Sequence, residues 1–128
     1  MSDAFQTQGA FSWCELRAAD AEAAKKFYTE VLGWETEAME MPDGVYTVLK
    51  AGGQPVGGIM ANPAPGALPH WMSYVTVDDV DKRIEKAQAA GGELLMPAMD
   101  VPGVGRMATI ADPGGAAISI ITYERRDG

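Results

Sequence analysis

The chain has few of the residues that build disulfides, metal sites or membrane spans. Among its 128 residues there is one cysteine, Cys14, and one histidine, His70. A lone thiol cannot form an internal disulfide, which fits a reducing compartment. No apolar run approaches the ~20 residues that span a bilayer, and the N-terminus lacks a basic segment followed by an apolar one. The sequence therefore predicts a soluble cytoplasmic protein without membrane association.

Positive charge is also scarce. Ten Lys and Arg residues stand against 18 Asp and Glu residues, which gives a formal net charge of −8. Because nucleic-acid affinity depends largely on Lys and Arg, no nucleic-acid partner is expected. The acidic balance mildly favours cationic or neutral ligands, although such a charge also serves solubility alone. Apolar residues make up 47% of the chain, and the length predicts one domain, 1–128.

The chain contains an internal repeat with an offset of 59 residues. Each half opens with a strand-like run, reaches an aspartate, continues through about a dozen helix-favouring residues and ends at glycine. Asp20 and Asp79 are 59 residues apart, and so are Gly33 and Gly92. An aspartate can accept N–H groups at a helix start, and a glycine can adopt the left-handed cap. The repeat predicts a strand followed by a helix in each half.

Three strand-like runs follow each helix, at 35–41, 45–50 and 56–61 in the first half and at 93–99, 106–110 and 116–123 in the second. The fold class is thus predicted to be α+β, with two βαβββ modules, 9–61 and 70–124, joined by a linker at 62–69. One module is too small to bury its sheet well. The two sheets are therefore expected to form one incomplete barrel, with the helices outside and a ligand cup on the concave face.

Periodicity predicts which side chains are buried. The first helix carries an apolar stripe that should face the sheet, formed by Ala24, Phe27, Tyr28 and Val31. On the first strand, alternation places Leu16 beneath this helix, together with Cys14 as a small buried residue. Trp13, Glu15 and Arg17 then lie on the opposite face, toward the cup.

Several motifs together resemble the vicinal oxygen chelate superfamily, which includes glyoxalase I, extradiol dioxygenases, and fosfomycin- and bleomycin-resistance proteins. The motifs are SWCELRAAD, AAKKFYTEVLGWE, VTVDDVD and DPGGAAISI, which lie within residues 11–122. More narrowly, they are similar to those of a glyoxalase-like subgroup. The resemblance implies paired modules, a small-molecule site in the cup and, as in many relatives, a homodimer.

The resemblance also implies a test for a metal site. Metal-dependent relatives place His, Gln or Glu seven residues before the aspartate that starts each helix, and Glu on the last strand of a half. The corresponding residues here are Trp13 and Met72 on the first strands, then Ser119 and either Met60 or a neighbouring glycine on the last strands. Indole, thioether and hydroxyl groups are poor ligands for hard divalent metals, so no metal and no cofactor are predicted. His70 lies two residues before the expected position without partner carboxylates and is expected at the surface.

Glu15 is the candidate catalytic residue, because a carboxylate facing the cup could act as a base or bind a cationic ligand. The alternatives are an ion pair with Arg17 or Arg106, or a position at the mouth of the cup that is open to water. The predicted ligand-binding residues would give a mostly apolar pocket with a few hydroxyl groups: Trp13, Glu15, Tyr46, Met60, Met72, Tyr74 and Ser119. Alternatively, the same Met and aromatic side chains fill the barrel as core.

Three functions remain open from the sequence. The first is a metal-free protein of the glyoxalase/bleomycin-resistance type that binds a small organic molecule in the cup. The second is a glyoxalase- or dioxygenase-like enzyme, a lyase or isomerase, that uses Glu15 as acid or base or has a non-standard metal site. The third is an accessory dimeric protein whose cup is filled.

Overall fold

The computed structural model describes residues 3–41, 44–62 and 68–124. The chain divides into two compact units. Residues Trp13–Met72 form one unit, and the residues up to Ser12 pack with those from Ser73 onwards to form the other. Because the division falls inside two strands, the predicted module boundaries stay a prediction. Residues 63–67 of the predicted linker lie outside the described part of the chain.

The first half of the chain follows the predicted order of elements. These are β1 (Phe11–Ala18), α1 (Ala21–Leu32), β2 (Glu35–Met41), β3 (Gly44–Ala51) and β4 (Gln54–Ala61). Strand β3 pairs antiparallel with both β2 and β4, while β4 runs parallel to β1. The strand order in this half is therefore β2-β3-β4-β1.

The second half repeats the same order. Its elements are β5 (His70–Thr76), α2 (Val80–Ala89), β6 (Glu93–Val101), β7 (Gly105–Ala111) and β8 (Ala117–Tyr123). Strand β7 pairs antiparallel with β6 and β8, and β8 runs parallel to β5. The predicted α+β class with a βαβββ order in each half is confirmed. Among the described residues, no helix has the length and apolarity to cross a membrane.

Both helices begin at the predicted aspartates. The Asp20 side chain accepts the Ala23 N–H at 3.1 Å, and the Asp79 side chain accepts the Lys82 N–H at 3.1 Å. Each helix then covers one face of its own half-sheet. The cluster under α1 is Leu16, Ala18, Leu49 and Ile59, and the cluster that includes α2 is Val77, Val80, Ile84, Ala108 and Ile120. Apolar burial on this face fixes which strand residues lie on the other face.

The predicted buried stripe of α1 is only partly correct. Tyr28 and Ala24 pack against the cluster under the helix, whereas Phe27 is 55% exposed and Val31 is 59% exposed. Cys14 was also expected beneath the helix and is exposed. The apolar residues that pack against α1 begin at Leu16 on β1, so the helix covers only the later part of this strand.

The N-terminal segment is fixed to β5, a feature that the repeat did not predict. A short 3₁₀ turn at Ala4–Gln6 is followed by backbone bonds from Gly9 N–H to Thr76 O at 2.8 Å and from Thr76 N–H to Ala10 O at 2.9 Å. The Thr76 hydroxyl donates to Ala4 O at 2.7 Å. These bonds place the segment in the unit formed mainly by the second half of the chain.

Candidate functional site

One face of the first half-sheet carries most of the predicted site residues. Because Leu16 and Ala18 point toward α1, their neighbours on β1 point to the opposite face. The strand register pairs Glu15 with Gly58 and Arg17 with Met60 on β4. We call this helix-free face the site face and define it by Trp13, Glu15, Arg17, Tyr46 and Met60.

A hydrogen-bonded chain of three side chains joins β1 to β3 on the site face. The Trp13 Nε1–H donates to the Tyr46 hydroxyl at 2.8 Å. The Tyr46 hydroxyl donates to Glu15 Oε1 at 3.0 Å. An indole N–H can only donate, so the Tyr46 oxygen must accept from Trp13 and has its single proton for Glu15. The direction of the whole chain is thereby fixed.

Glu15 also forms an ion pair on the same face. Arg17 Nε donates to Glu15 Oε2 at 3.3 Å, and only 11% of the Arg17 side chain and 9% of the Glu15 side chain are exposed. The other arginine considered as a partner, Arg106, instead donates to Asp81 and Asp100. Its hydrogen bond to Asp81 is the largest cause of the lowered pKa of that carboxyl group. Glu15 is therefore a paired carboxylate, and both of its oxygens accept hydrogen bonds.

Gly58 leaves the space in which the Tyr46 ring lies. A Cβ atom at residue 58 would overlap the phenol of Tyr46, including its hydroxyl oxygen. The strand partner of Gly58 on β3 is Val48, two residues from Tyr46. The missing side chain thus allows the Tyr46 hydroxyl to reach Glu15 across β4.

The remaining predicted site residues lie on β5 and β8, where they are almost fully buried. Met72 is 5% exposed, Tyr74 is 4% exposed and Ser119 is 1% exposed. Tyr74 and Ser119 are register partners, and the Ser119 hydroxyl is 2.8 Å from the Thr109 hydroxyl. Their participation with the site face in one ligand site stays a prediction.

The chain matches a family model over most of its length. Residues 10–120 match the model of the Glyoxalase/Bleomycin resistance protein/Dioxygenase superfamily. The chain belongs to this superfamily. The resemblance inferred from the sequence motifs is therefore confirmed.

Two curated relatives are similar to most of this chain. A Mycobacterium tuberculosis protein named glyoxylase CFP32 is 40% identical over 126 residues, which cover 94% of this chain and 48% of that protein. The anthracycline biosynthesis protein DnrV of Streptomyces peucetius is 35% identical over 127 residues, which cover 88% of this chain and 46% of that protein. The chain thus spans about half the length of these curated relatives.

The fold is also similar to that of solved structures. Methylmalonyl-CoA epimerase from Mycobacterium tuberculosis superimposes with a TM-score of 0.67 at 16% identity, covering 94% of this chain and 92% of the epimerase chain. At this identity the likeness concerns the fold alone.

The residues at the superfamily's expected metal positions do not fit a divalent metal. The Trp13 indole nitrogen donates a hydrogen bond to Tyr46, and an N–H donor has no lone pair to offer a cation. Met60 and Met72 provide thioethers, which hard cations disfavour, and the Ser119 hydroxyl is engaged with Thr109. No group of three or more His, Cys, Asp or Glu side chains with metal-binding geometry occurs within the described residues.

The single histidine lies at the surface, as expected. His70 is the first residue of β5 and is exposed, with its ring Nδ1 2.9 Å from Leu68 O. It has no carboxylate beside it among the interactions described for this part of the chain. The contact described for the His70 ring is thus with the backbone of a residue two positions earlier in the chain.

Arg17 of the site face and Gly58, which leaves space for the Tyr46 ring, were not assigned a site role from the sequence. Arg17 was considered only as an alternative partner that would make Glu15 structural, and Gly58 was not distinguished from the neighbouring glycine. The signal for Arg17 was its i, i+2 spacing from Glu15 on a strand, which places both on one face. No sequence signal identified Gly58, because its role depends on the Tyr46 ring on another strand, two residues from its strand partner Val48.

Proposed function

We propose that the protein is a metal-free small-molecule-binding member of the superfamily, with an organic ligand held on the site face. The observation that carries this proposal is the directed chain from Trp13 through Tyr46 to Glu15. It provides oriented polar groups next to the half-buried aromatic and thioether surfaces of Trp13, Tyr46 and Met60. Small-molecule sites commonly combine a mostly apolar wall with a few fixed polar groups.

The names of the relatives support a small-molecule role. CFP32 carries the name of a glyoxylase, and DnrV is named for anthracycline biosynthesis. We also propose that the protein is a homodimer, as many members of the superfamily are, and that it works in the cytoplasm, where its single thiol stays reduced.

A ligand screen in the absence of metal tests the binding function. Untagged protein treated with EDTA would be screened by ¹H–¹⁵N NMR against neutral aromatic and aliphatic compounds. We expect at least one compound to shift the Trp13 indole N–H resonance. The Tyr46→Phe variant lacks one hydrogen-bonding hydroxyl group. We therefore expect this variant to bind the same compound roughly threefold to tenfold more weakly than the natural chain does.

The control variant is Tyr28→Phe, which removes a matched hydroxyl group. Tyr28 also accepts an indole N–H, from Trp71 Nε1 at 3.3 Å, but it packs against the cluster under α1. Affinity should be unchanged in this control. Binding that is equally insensitive to both variants would place the ligand elsewhere, and binding that requires added metal would contradict the metal-free function.

An enzyme is the second candidate, favoured by the 3.0 Å bond between the Tyr46 hydroxyl and Glu15. A lyase or isomerase could use Glu15 as acid or base, with Tyr46 positioning it. For this function Glu15→Gln should abolish turnover and its pH–rate profile while the variant stays folded. Turnover that survives Glu15→Gln would exclude the role of Glu15.

The third candidate is an accessory dimeric protein whose predicted cup is filled by its own side chains. The burial of Met72, Tyr74 and Ser119 favours it, because fully buried side chains offer no surface to a ligand. This function predicts that no compound shifts the Trp13 resonance.

A further inference from the structure

The Glu15–Arg17 ion pair determines the net charge of the site face. Both side chains lie on β1, and the Arg17 Nε–Glu15 Oε2 distance is 3.3 Å. About nine-tenths of each side chain is removed from solvent. Each formal charge is therefore matched inside the protein, and the pair contributes no net charge to a ligand.

Tyr46 adds a second fixed partner to the carboxylate. It donates to Glu15 Oε1 while Arg17 donates to Oε2. The charged side chains Lys50 and Glu37 of the same half-sheet also pair with each other, with Nζ and Oε1 2.8 Å apart. These two ion pairs are each neutral, although the whole chain has a formal net charge of −8.

We propose that the site face selects uncharged organic molecules over cations and anions of the same shape, and that Arg17 determines this selectivity. The inference rests on the proposed binding function and names its ligand class. A charged ligand would lose hydration on binding, and the two charged side chains of the site face, Glu15 and Arg17, are already paired with each other. A neutral ligand with a hydroxyl group loses less hydration, and its O–H can donate to a further lone pair of the Tyr46 or Glu15 oxygens.

Removing one member of the pair should change the preferred charge of the ligand. Arg17→Met leaves a buried carboxylate without its cation, which an ammonium group on a ligand can replace. Glu15→Gln leaves a buried guanidinium, which a ligand carboxylate can replace. Substitution of a residue with only a structural role would lower the affinity for all ligands alike. A change in which ligand binds most tightly would therefore indicate a role in selectivity.

Three probes on one aromatic frame test the proposal at pH 7: neutral 2-naphthol, anionic 2-naphthoate and cationic 2-naphthylmethylammonium. Dissociation constants would be measured by NMR titration of the full chain. For the natural sequence we expect 2-naphthol to bind roughly tenfold more tightly than either ion. Arg17→Met should make the ammonium probe the tightest ligand, and Glu15→Gln should make the carboxylate probe the tightest.

Two further variants control for folding and for shape. Arg17→Lys keeps the positive charge and should keep the natural order of the three probes. The double variant Glu15→Gln, Arg17→Met removes both charges, so it should fold and again prefer 2-naphthol. If either Arg17→Met or Glu15→Gln fails to fold, the other still tests whether the preferred probe changes from that of the natural chain.

The outcomes separate the ligand class from the binding function. The proposal is overturned if the natural chain binds the ammonium probe most tightly. It is also overturned if every folded variant, including Arg17→Met or Glu15→Gln, binds the three probes in the same order of affinity. In both cases binding to the site face still stands. Failure of all three probes to shift the Trp13 resonance overturns the ligand class, and failure of the wider compound screen as well overturns the proposed function itself.

Discussion

At the scale of single residues, the site face depends on an absent side chain. The Tyr46 ring occupies the space that a Cβ atom on residue 58 would need. Tyr46 receives the Trp13 N–H and donates to Glu15, so its position decides whether these three side chains form one chain. The φ angle of Gly58 is not in the left-handed region, so the backbone conformation does not require glycine here. Packing requires it, since a Cβ atom would overlap the Tyr46 ring.

Gly58→Ala should displace Tyr46 and destabilise the protein by about 1–3 kcal/mol, the usual cost of overpacking. The free energy of unfolding in urea would be measured for the natural chain, Gly58→Ala, Tyr46→Ala and the double variant. Once the ring is absent, the added methyl group has space, and its cost should fall below about 1 kcal/mol.

Gly57→Ala is the matched control for this cycle. A Cβ at residue 57 would meet the backbone carbonyl of Cys14 and not a side chain. Its cost should therefore be the same with tyrosine or alanine at 46. An equal cost of Gly58→Ala in both backgrounds would show that Tyr46 does not occupy that space in solution.

Residue-level interpretation from sequence was accurate where strand alternation decided it. The side of β1 on which Glu15 lies follows from the period of two and from Leu16 packing under α1. The exposure of Cys14 could not be predicted in this way, since alternation gives the face of a strand but not how far the helix extends along it. The bond from Tyr46 to Glu15 depends on strand register, which no local pattern contains.

At the scale of elements, the repeat is expressed most clearly in the helix starts. Asp20 and Asp79, 59 residues apart, accept the N–H groups of Ala23 and Lys82 at the same distance, 3.1 Å. The helix ends differ, because Gly33 directly follows α1, whereas α2 ends at Ala89 and the left-handed glycine is Gly91. The two halves therefore share one start signal but have helices of different length.

Asp20→Ala and Asp79→Ala should each lower the free energy of unfolding by about 1 kcal/mol, the usual cost of losing an N-cap. Equilibrium urea unfolding would measure both. Asp20→Ser and Asp79→Ser keep an oxygen that can accept the same N–H group, so they should retain most of the stability. Equal losses for Ala and Ser at one position would mean that its side chain does not cap the helix.

The sequence predicted the order and approximate bounds of the helices and strands, since each has its own periodicity and ends at aspartate, proline or glycine. It did not predict how much of α1 is covered. An i, i+3, i+4, i+7 stripe identifies the side of a helix that faces the sheet. The width of that contact depends on the strands below, and Phe27 and Val31 lie outside it.

At the scale of the whole molecule, superfamily and chemistry come from different evidence. The fold class and the superfamily could be predicted because the repeat and the motifs extend along most of the chain, and residues 10–120 match the family model. The ligand could not be predicted, because a shared fold does not fix the chemistry of a site. The chemistry of a site depends on the identity of a few side chains, which here include those at the expected metal positions.

The side chains at the expected metal positions predict that the protein does not retain a divalent metal. Untagged protein would be loaded with Zn, Mn, Fe, Ni or Co, dialysed and measured by elemental mass spectrometry. We expect near-zero occupancy, because catalytic zinc usually has about three protein ligands and the expected positions here hold indole, thioether and hydroxyl groups. A tag must be absent, since its histidines would bind metal themselves.

Occupancy near one metal per chain would contradict this assignment, and His70→Asn would show its source. Loss of the metal in that variant would mean that the ligand positions are shifted by two residues along β5, toward the only histidine. Retention of the metal in His70→Asn would direct attention to Glu15, through Glu15→Gln. Either result would make a metal-dependent enzyme the leading function, whereas near-zero occupancy with a ligand bound to the site face would leave Glu15, Arg17 and Tyr46 to act without a metal.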